Sequence, residues 1–355
     1  MSDLTSLLEE WGDPAVLSAG GALIGLLFGL AAQRSRFCAR AAVMACCQQQ
    51  PQDRLAVWLL AFASALLGVQ ALVLTGALQP SASRFVGQSG SVSGAVLGGL
   101  CFGAGMILTR GCASRLLILS AGGNLRALLS GLVFAVTVQA SISGLLAPLR
   151  QTIASWWPLD PGPQRALLTA LGLPPVSGLI LGAGVLALAL WLWWRQPHRT
   201  WQDGGWALLC GLAISAGWAF TQAVAGASFE AVPVMSLSYS APSAEWLMRV
   251  LATSTAPQFG FDTGVLPATF AGALIGALLG RDFKFEGFRT ENKLGHYLIG
   301  AMLMGFGAVL AGGCTVGAGM TGGAMLAITA LLTLGAIWVG AGLNLRLHRA
   351  MGWPV

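Results

Sequence analysis

Three of the seven cysteines close the same local pattern, an apolar, glycine-studded run that breaks into a short polar or glycine-rich stretch. The runs are GLLFGLAAQRSRFC (Gly25 to Cys38), GLCFGAGMILTRGC (Gly99 to Cys112) and AMLMGFGAVLAGGC (Ala301 to Cys314). A glycine precedes the cysteine by nine residues each time: Gly29, Gly103 and Gly305. Arg36 and Arg110 stand just upstream of two of them. A thiol is a weak hydrogen-bond donor. Beside the start of a helix, free amide N–H groups and the helix dipole favour an anion or a thiolate. Thiols placed alike at the mouths of apolar helices suggest a sulfur-handling path through a membrane.

Each setting has its own chemistry. Cys112 lies in TRGCASR, where a helix starting at or just after Gly111 directs its N–H groups at the thiol, between Arg110 and Arg115. Cys314 lies in AGGCTVGAGMTGG, an uncharged stretch whose glycines, Gly313 among them, let backbone approach a ligand. Thr315 and Thr321 add hydroxyl donors there. Cys38 lies in RSRFCAR, with Arg34, Arg36 and Arg40 around it. The competing reading makes each cysteine a small buried apolar residue and the arginines a solvated anchor. That reading is taken for Cys46, Cys47, Cys101 and Cys210. Glu230, Glu245 and Arg249 are assigned to the surface. His198, His296 and His348 fall at interfaces without ligand spacing. No nucleophile–base set, phosphate loop, zinc spacing or disulfide framework occurs, so no metal, no cofactor and no enzyme is expected.

The elements that must position these thiols are membrane spans. The chain is 55% hydrophobic and 9% charged, with a mean hydropathy of +0.74. Such a composition excludes an ordinary soluble domain. Nothing in it suggests nucleic-acid binding. Nine spans are expected at about 14–33, 55–78, 92–109, 124–147, 177–195, 204–226, 264–280, 294–312 and 325–345. Segments 34–48, 110–120, 242–254 and 313–323 fit neither spans nor simple loops. They read as four short re-entrant helices, tolerated at membrane depth only when buried in protein or lining a polar cavity. With the amino terminus outside, fifteen basic residues fall on the inner side and four on the outer. The amino terminus is therefore placed outside and the carboxyl terminus inside. The acidic start, MSDLTSLLEEWGDP, does not read as a cleaved signal peptide.

The chain then divides into a first half (14–147), a linking helix (177–195) and a second half (204–345) of one transport domain (1–355). Five spans precede the second half, so the two halves run in opposite directions, as an inverted repeat. Cys112 and Cys314 occupy corresponding positions. Cys38 corresponds to Phe220, so the fourth slot lacks a thiol.

The motifs RSRFC, TRGC and GGCTVG, with nine spans, closely resemble the YeeE/YedE family of sulfur-transport membrane proteins over essentially the whole chain. The resemblance implies an all-α polytopic fold shaped like an hourglass, with nine transmembrane helices and four re-entrant helices. It implies uptake of thiosulfate or a similar sulfur oxyanion across a bacterial inner membrane. The path would be lined by Cys38, Cys112 and Cys314, with Arg36, Arg110, Arg115, Gly111, Gly313 and Thr315 in support. It also implies a cytoplasmic TusA-like sulfur-carrier protein as partner; a fused domain of that kind is not expected. Insertion 148–176 departs from compact members. Alternatives are a membrane sulfurtransferase forming a cysteine persulfide, a carrier of sulfite or a selenium anion, and a structural membrane subunit.

Overall fold

The computed structural model describes residues 2–48, 53–196, 200–251, 259–287 and 294–351. Its first helices are α1 (Ser2–Trp11), α2 (Asp13–Arg34), α3 (Ala39–Gln48) and α4 (Asp53–Leu74). A single turn, α5 (Arg84–Gly87), and strand β1 (Gly90–Ser91) lead into α6 (Val92–Leu108), α7 (Ala113–Ala121) and α8 (Leu125–Ser143). The next connection carries α9 (Ala147–Ala154), β2 (Pro158–Leu159) and α10 (Leu167–Ala170), and α11 is Val176–Trp194. Then come α12 (Trp201–Ala227), α13 (Ala241–Leu251), α14 (Phe261–Leu279) and α15 (Leu294–Leu310). A π-helical segment, Thr315–Gly322, precedes α16 (Ile328–Ala350).

Among the described residues nine helices are long and apolar enough to cross a bilayer: α2, α4, α6, α8, α11, α12, α14, α15 and α16. The chain is an all-α polytopic membrane protein. Large apolar side chains such as Leu132, Ile180, Leu188, Ile299 and Leu343 face outward, where hydrocarbon would cover them. Exposed Trp191, Trp194 and Trp201 cluster around one end of α11, and Arg195 lies 3.9 Å from the Trp191 ring centroid. This is the aromatic and cationic anchoring expected at a lipid–water boundary. The four expected short segments are α3, α7, α13 and the π-helical segment; residues 252–254, expected to end the third of them, lie outside the described residues. So do His198, Arg199, Arg289 and Lys293.

Glycine sets how closely the long helices approach. A Cβ on Gly29 would overlap the carbonyl of Thr269 in α14, and one on Gly103 the carbonyl of Ile337 in α16. One on Gly305 would fall 2.7 Å from Cβ of Thr137 in α8. The three glycines nine residues ahead of the cysteines are thus the places where each helix crosses a partner nearly backbone to backbone, as small residues allow in membranes.

The partners recur in a pattern. Helix α2 packs on α14 and α12 on α4, while α6 packs on α16 and α15 on α8. Two further pairs, α2–α12 and α6–α15, join the sets. Among the short elements, α7 meets α8 as the π-helical segment meets α16, and α3 meets α4 as α13 meets α14. Exchanging α2 with α12, α3 with α13, α4 with α14, α6 with α15, α7 with the π-helical segment and α8 with α16 carries α2–α12 and α6–α15 onto themselves and each of the other pairs onto another.

Insertion 148–176 is built into the fold rather than loose. Its strand β2 pairs antiparallel with β1, and Arg165 is 6% exposed and donates to Thr329 Oγ1 at 3.1 Å.

The close crossings predict a graded response. Gly103→Val should lower the stability of the detergent-solubilised protein by about 1–3 kcal/mol or more, because the partner is backbone and cannot yield. Gly184→Ala on α11, where a Cβ meets nothing within 4 Å, should leave the melting temperature unchanged or raise it. Melts followed by size-exclusion chromatography compare the two; equal behaviour would contradict the packing described.

Candidate functional site

The three motifs share one backbone geometry. Each long helix ends two residues before its cysteine in a left-handed residue: Arg36 (φ 53°), Arg110 (φ 58°) and Gly312 (φ 77°). At all three, the left-handed residue's N–H bonds the carbonyl three residues back: Arg36 to Gln33, Arg110 to Ile107 and Gly312 to Val309. In two, the following amide closes a Schellman turn, Phe37 N–H to Ala32 at 3.0 Å and Gly313 N–H to Ala308 at 2.8 Å. A left-handed non-glycine residue costs about 1–2 kcal/mol, so placing arginine at two of these points is not the cheapest solution. The chain then restarts as a short helix with the cysteine as its N-cap. Cys112 (φ −83°, ψ 173°) and Cys314 (φ −83°, ψ −174°) are nearly superimposable in backbone. The Cys38 carbonyl accepts from Ala42 N–H at 3.1 Å, the first bond of α3.

An N-cap side chain faces the unpaired amides of the first turn. At Cys314 the Gly317 N–H donates to Sγ at 3.4 Å, and the Val316 and Tyr239 amides also point at the sulfur. At Cys38 the Ala41 amide plays the role of Gly317. At Cys112 the sulfur lies 3.4 Å from Ser114 Oγ. Cys112 and Cys314 are fully buried and Cys38 is half-buried. Gly313 has no room for a side chain, since a Cβ would come 2.6 Å from the Ala318 amide. Gly111 has room, with nothing nearer than 3.4 Å. Thr315 Oγ1 is buried without a hydrogen-bond partner beside Cys314.

The thiols are brought together. Cys112 lies within electrostatic range of both Cys38 and Cys314, and Arg115 within range of Cys38 and Cys112. Arg40 is also near Cys38, and Arg36 is near Arg115 but exposed. Arg115 Nη1 and Arg40 Nε are buried and unpartnered. Arg110 stands farther out, 6.0 Å above the Tyr297 ring, which Arg126 approaches to 4.8 Å. Arg126 also donates to the Thr109 carbonyl at 2.8 Å, bracing the α6 break. One side of the thiol row is therefore rich in arginine.

Several residues here were missed from the sequence. Tyr239, 1% exposed, lies within range of Cys314, Cys210 and Cys112, and its hydroxyl is 3.0 Å from Thr269 Oγ1. Cys210, assigned to packing, is buried 3.9 Å from Ser35 in the Cys38 motif. The polar run SLSYS (Ser236 to Ser240) inside an otherwise apolar chain was the available signal. Phe220 does not fill the fourth slot. It lies inside α12, which continues to Ala227, and its ring packs 6.4 Å from Phe261. The chain returns along α12, with Ser236 Oγ donating to Ile214 at 2.7 Å, and α13 starts directly after Ser240.

Other assignments need correction. Glu245 is half-buried rather than a surface residue, while Glu230 is exposed as expected; with Asp13 and Asp262 both line a cavity of about 280 Å³. Cys46 and Cys47 are exposed at the end of α3 and Cys101 is half-buried, so none of the three is a buried packing residue. His348 is 7% exposed and belongs to the packed face of α16. Among the described residues no group of His, Cys, Asp and Glu is placed to hold a metal ion.

Comparison with known proteins adds the following. The family described as Sulphur transport matches residues 34–343. A relative from Escherichia coli strain K12, named Thiosulfate transporter TsuA, is 25% identical over 342 residues, covering 90% of this chain and 89% of the relative. A second of the same name, from Spirochaeta thermophila, is 26% identical over 329 residues, covering 88% of this chain and 93% of that protein.

The capping role of Cys314 is testable apart from transport. Cys314→Ala should lower the melting temperature, by a cap's worth of about 1 kcal/mol, while Cys314→Ser keeps an acceptor for Gly317 N–H and should melt close to the parent. Equal losses in both would deny the sulfur its capping role.

Proposed function

The chain belongs to the Sulphur transport family, and from that premise we propose that it carries thiosulfate, or a closely related sulfur oxyanion, inward across the bacterial inner membrane. The observation that carries this reading is the repeated helix break: three thiols, each an N-cap, within electrostatic range along one row. The names of the two relatives, over about nine-tenths of the chain, support the substrate.

The physics fits. A dianion cannot enter hydrocarbon unaided. A full positive charge at the narrowest point would hold it too long, because conduction needs weak, repeated sites. A capping thiol is a weak site of suitable kind. At Cys314 and Cys38 the amide behind the thiol donates to sulfur, which leaves the S–H proton free to point at the soft terminal sulfur of the ion; at Cys112 the Ser114 hydroxyl is the neighbour. Cys314, Cys112 and Cys38 then pass the ion along by transient S–H···S contacts, with no lasting covalent bond. Arg36, Arg110 and Arg115 favour the ion on the far side.

The two halves form an inverted repeat in this reading, supported by the packing pairs that exchange onto one another. The four short elements are re-entrant helices around an hourglass-shaped path. The amino terminus is outside, Cys314 faces the outer opening, and Cys112 and Cys38 lie toward the cytoplasm, where a TusA-like sulfur carrier consumes the ion.

Uptake of radiolabelled thiosulfate into proteoliposomes tests the relay. Cys112→Ala and Cys314→Ala should each cut uptake about tenfold, the worth of roughly 1.4 kcal/mol, and Cys38→Ala should cut it less because Cys38 is half-buried. Cys101→Ala should match the parent. Full uptake by all three path mutants would reject the relay.

A further inference from the structure

The 280 Å³ cavity does not open directly onto Cys314. Behind it lies a second cavity of only about 20 Å³, lined by Arg84, Phe85, Trp218, Met235, Ser236, Ser238, Asp262 and Thr321. Asp262 and Met235 line both cavities and form the wall between them. The inner cavity is about the size of one water molecule, so the space behind the wall is a constriction. It adjoins the first thiol: Ser238 packs on Gly317, the residue whose N–H donates to Cys314 Sγ, and Arg84 lies within electrostatic range of Cys314.

Donors in the constriction are few. Ser236 and Thr321 spend their hydroxyl protons on the carbonyls of Ile214 and Leu237, both at 2.7 Å. Ser238 has only a long contact, 3.5 Å, to Ser240 Oγ. The cation is Arg84, 4.9 Å from the Phe85 ring centroid and within range of Asp262 without an ion pair to it. Asp262 Oδ1 is buried and has no hydrogen-bond partner. Charges around Asp262 are otherwise negative or distant: Glu245 within its range, Arg249 beyond Glu245, and Asp13 and Glu230 across the outer cavity. Four carboxylates therefore face the outer cavity, and a single guanidinium stands behind them.

That order is unhelpful for a simple anion funnel but suits a filter. We propose that Arg84, with the Ser238 hydroxyl, is the outer binding site for the oxygen end of a doubly charged oxyanion, and that Asp262 is the built-in competitor the ion must displace. This rests on the transport reading above. A guanidinium presents a fork that matches two oxyanion oxygens. Left alone it would retain the ion; with a carboxylate in range, its hold weakens and release toward Cys314 becomes possible. A dianion outcompetes the single charge of Asp262, whereas a monoanion such as chloride gains too little Coulomb energy to do so. Met235, flexible and half-buried, is the side chain free to swing aside when the wall opens.

The test is thiosulfate uptake kinetics in proteoliposomes with the parent, Arg84→Gln, Arg84→Lys, Asp262→Asn and the Arg84→Gln/Asp262→Asn pair. Melting curves establish that each variant is folded. Arg84→Gln should raise KM about tenfold or more, with Arg84→Lys between it and the parent. Asp262→Asn should lower KM several-fold, lower kcat, and make uptake sensitive to chloride. In the pair, the Asp262→Asn effect should vanish, because it acts through Arg84. A KM for Arg84→Gln within twofold of the parent, or an undiminished Asp262→Asn effect in the pair, would overturn the site. If the folded parent carries no thiosulfate, the transport reading fails instead. Calorimetric binding of thiosulfate to the purified protein then decides the site: loss of binding in Arg84→Gln supports it, and unchanged binding ends it.

Discussion

A helix interrupted inside an apolar protein leaves amide N–H groups that neither lipid nor ordinary packing can satisfy. The disposal of those amides governs this molecule. At three breaks the chain turns through a left-handed residue and restarts behind a cysteine; first-turn amides face the sulfur of Cys314 and Cys38, while Cys112 meets the Ser114 hydroxyl. Sulfur accepts weakly, which leaves the site partly satisfied and open to a passing anion. A serine or aspartate cap would close the account more firmly and hold the ion out or hold it fast. The weakness of the thiol is therefore its use.

The rest of the structure serves to hold those breaks together. Glycines nine residues upstream let each interrupted helix cross its partner backbone to backbone. That contact fixes the height at which the helix ends. Charge is graded along the row of thiols. Carboxylates face the outer cavity, Arg84 stands at the constriction, the π-helical segment carries no charged residue, and arginines gather near Cys38 and Cys112. An ion moving down this sequence meets competition, a fork, soft weak contacts and then a positive region.

How much of this was legible beforehand depended on range. Span length and hydropathy are local sums, and the nine spans and four short segments follow from them within a few residues. The common restart at Cys38, Cys112 and Cys314 was legible because glycine and arginine punctuate it. The fourth slot was not. The correspondence of Cys38 with Phe220 puts its end at Phe220, but α12 continues to Ala227 and the chain doubles back through SLSYS before α13 starts. Nothing local distinguishes an overrunning helix from one that stops. Arg84, Asp262 and Tyr239 were missed for a related reason. Each is unremarkable in its own segment and gains meaning only from residues more than fifteen positions away. The acidic lining of the outer cavity was read as surface because opposing charge on an anion route looks unfavourable until the guanidinium behind it is seen.

The central claim is that Cys314, Cys112 and Cys38 share one anion path. Selenosulfate places a strongly scattering atom where thiosulfate carries its terminal sulfur. Anomalous diffraction from crystals soaked in it locates that atom without reference to activity. Selenium peaks in contact with the three sulfur atoms, in that order between the outer cavity and the arginine-rich side, are the expected result. Selenium bound only on the lipid-facing surface, or none beside any of the three thiols in a protein that transports the ion, would contradict it.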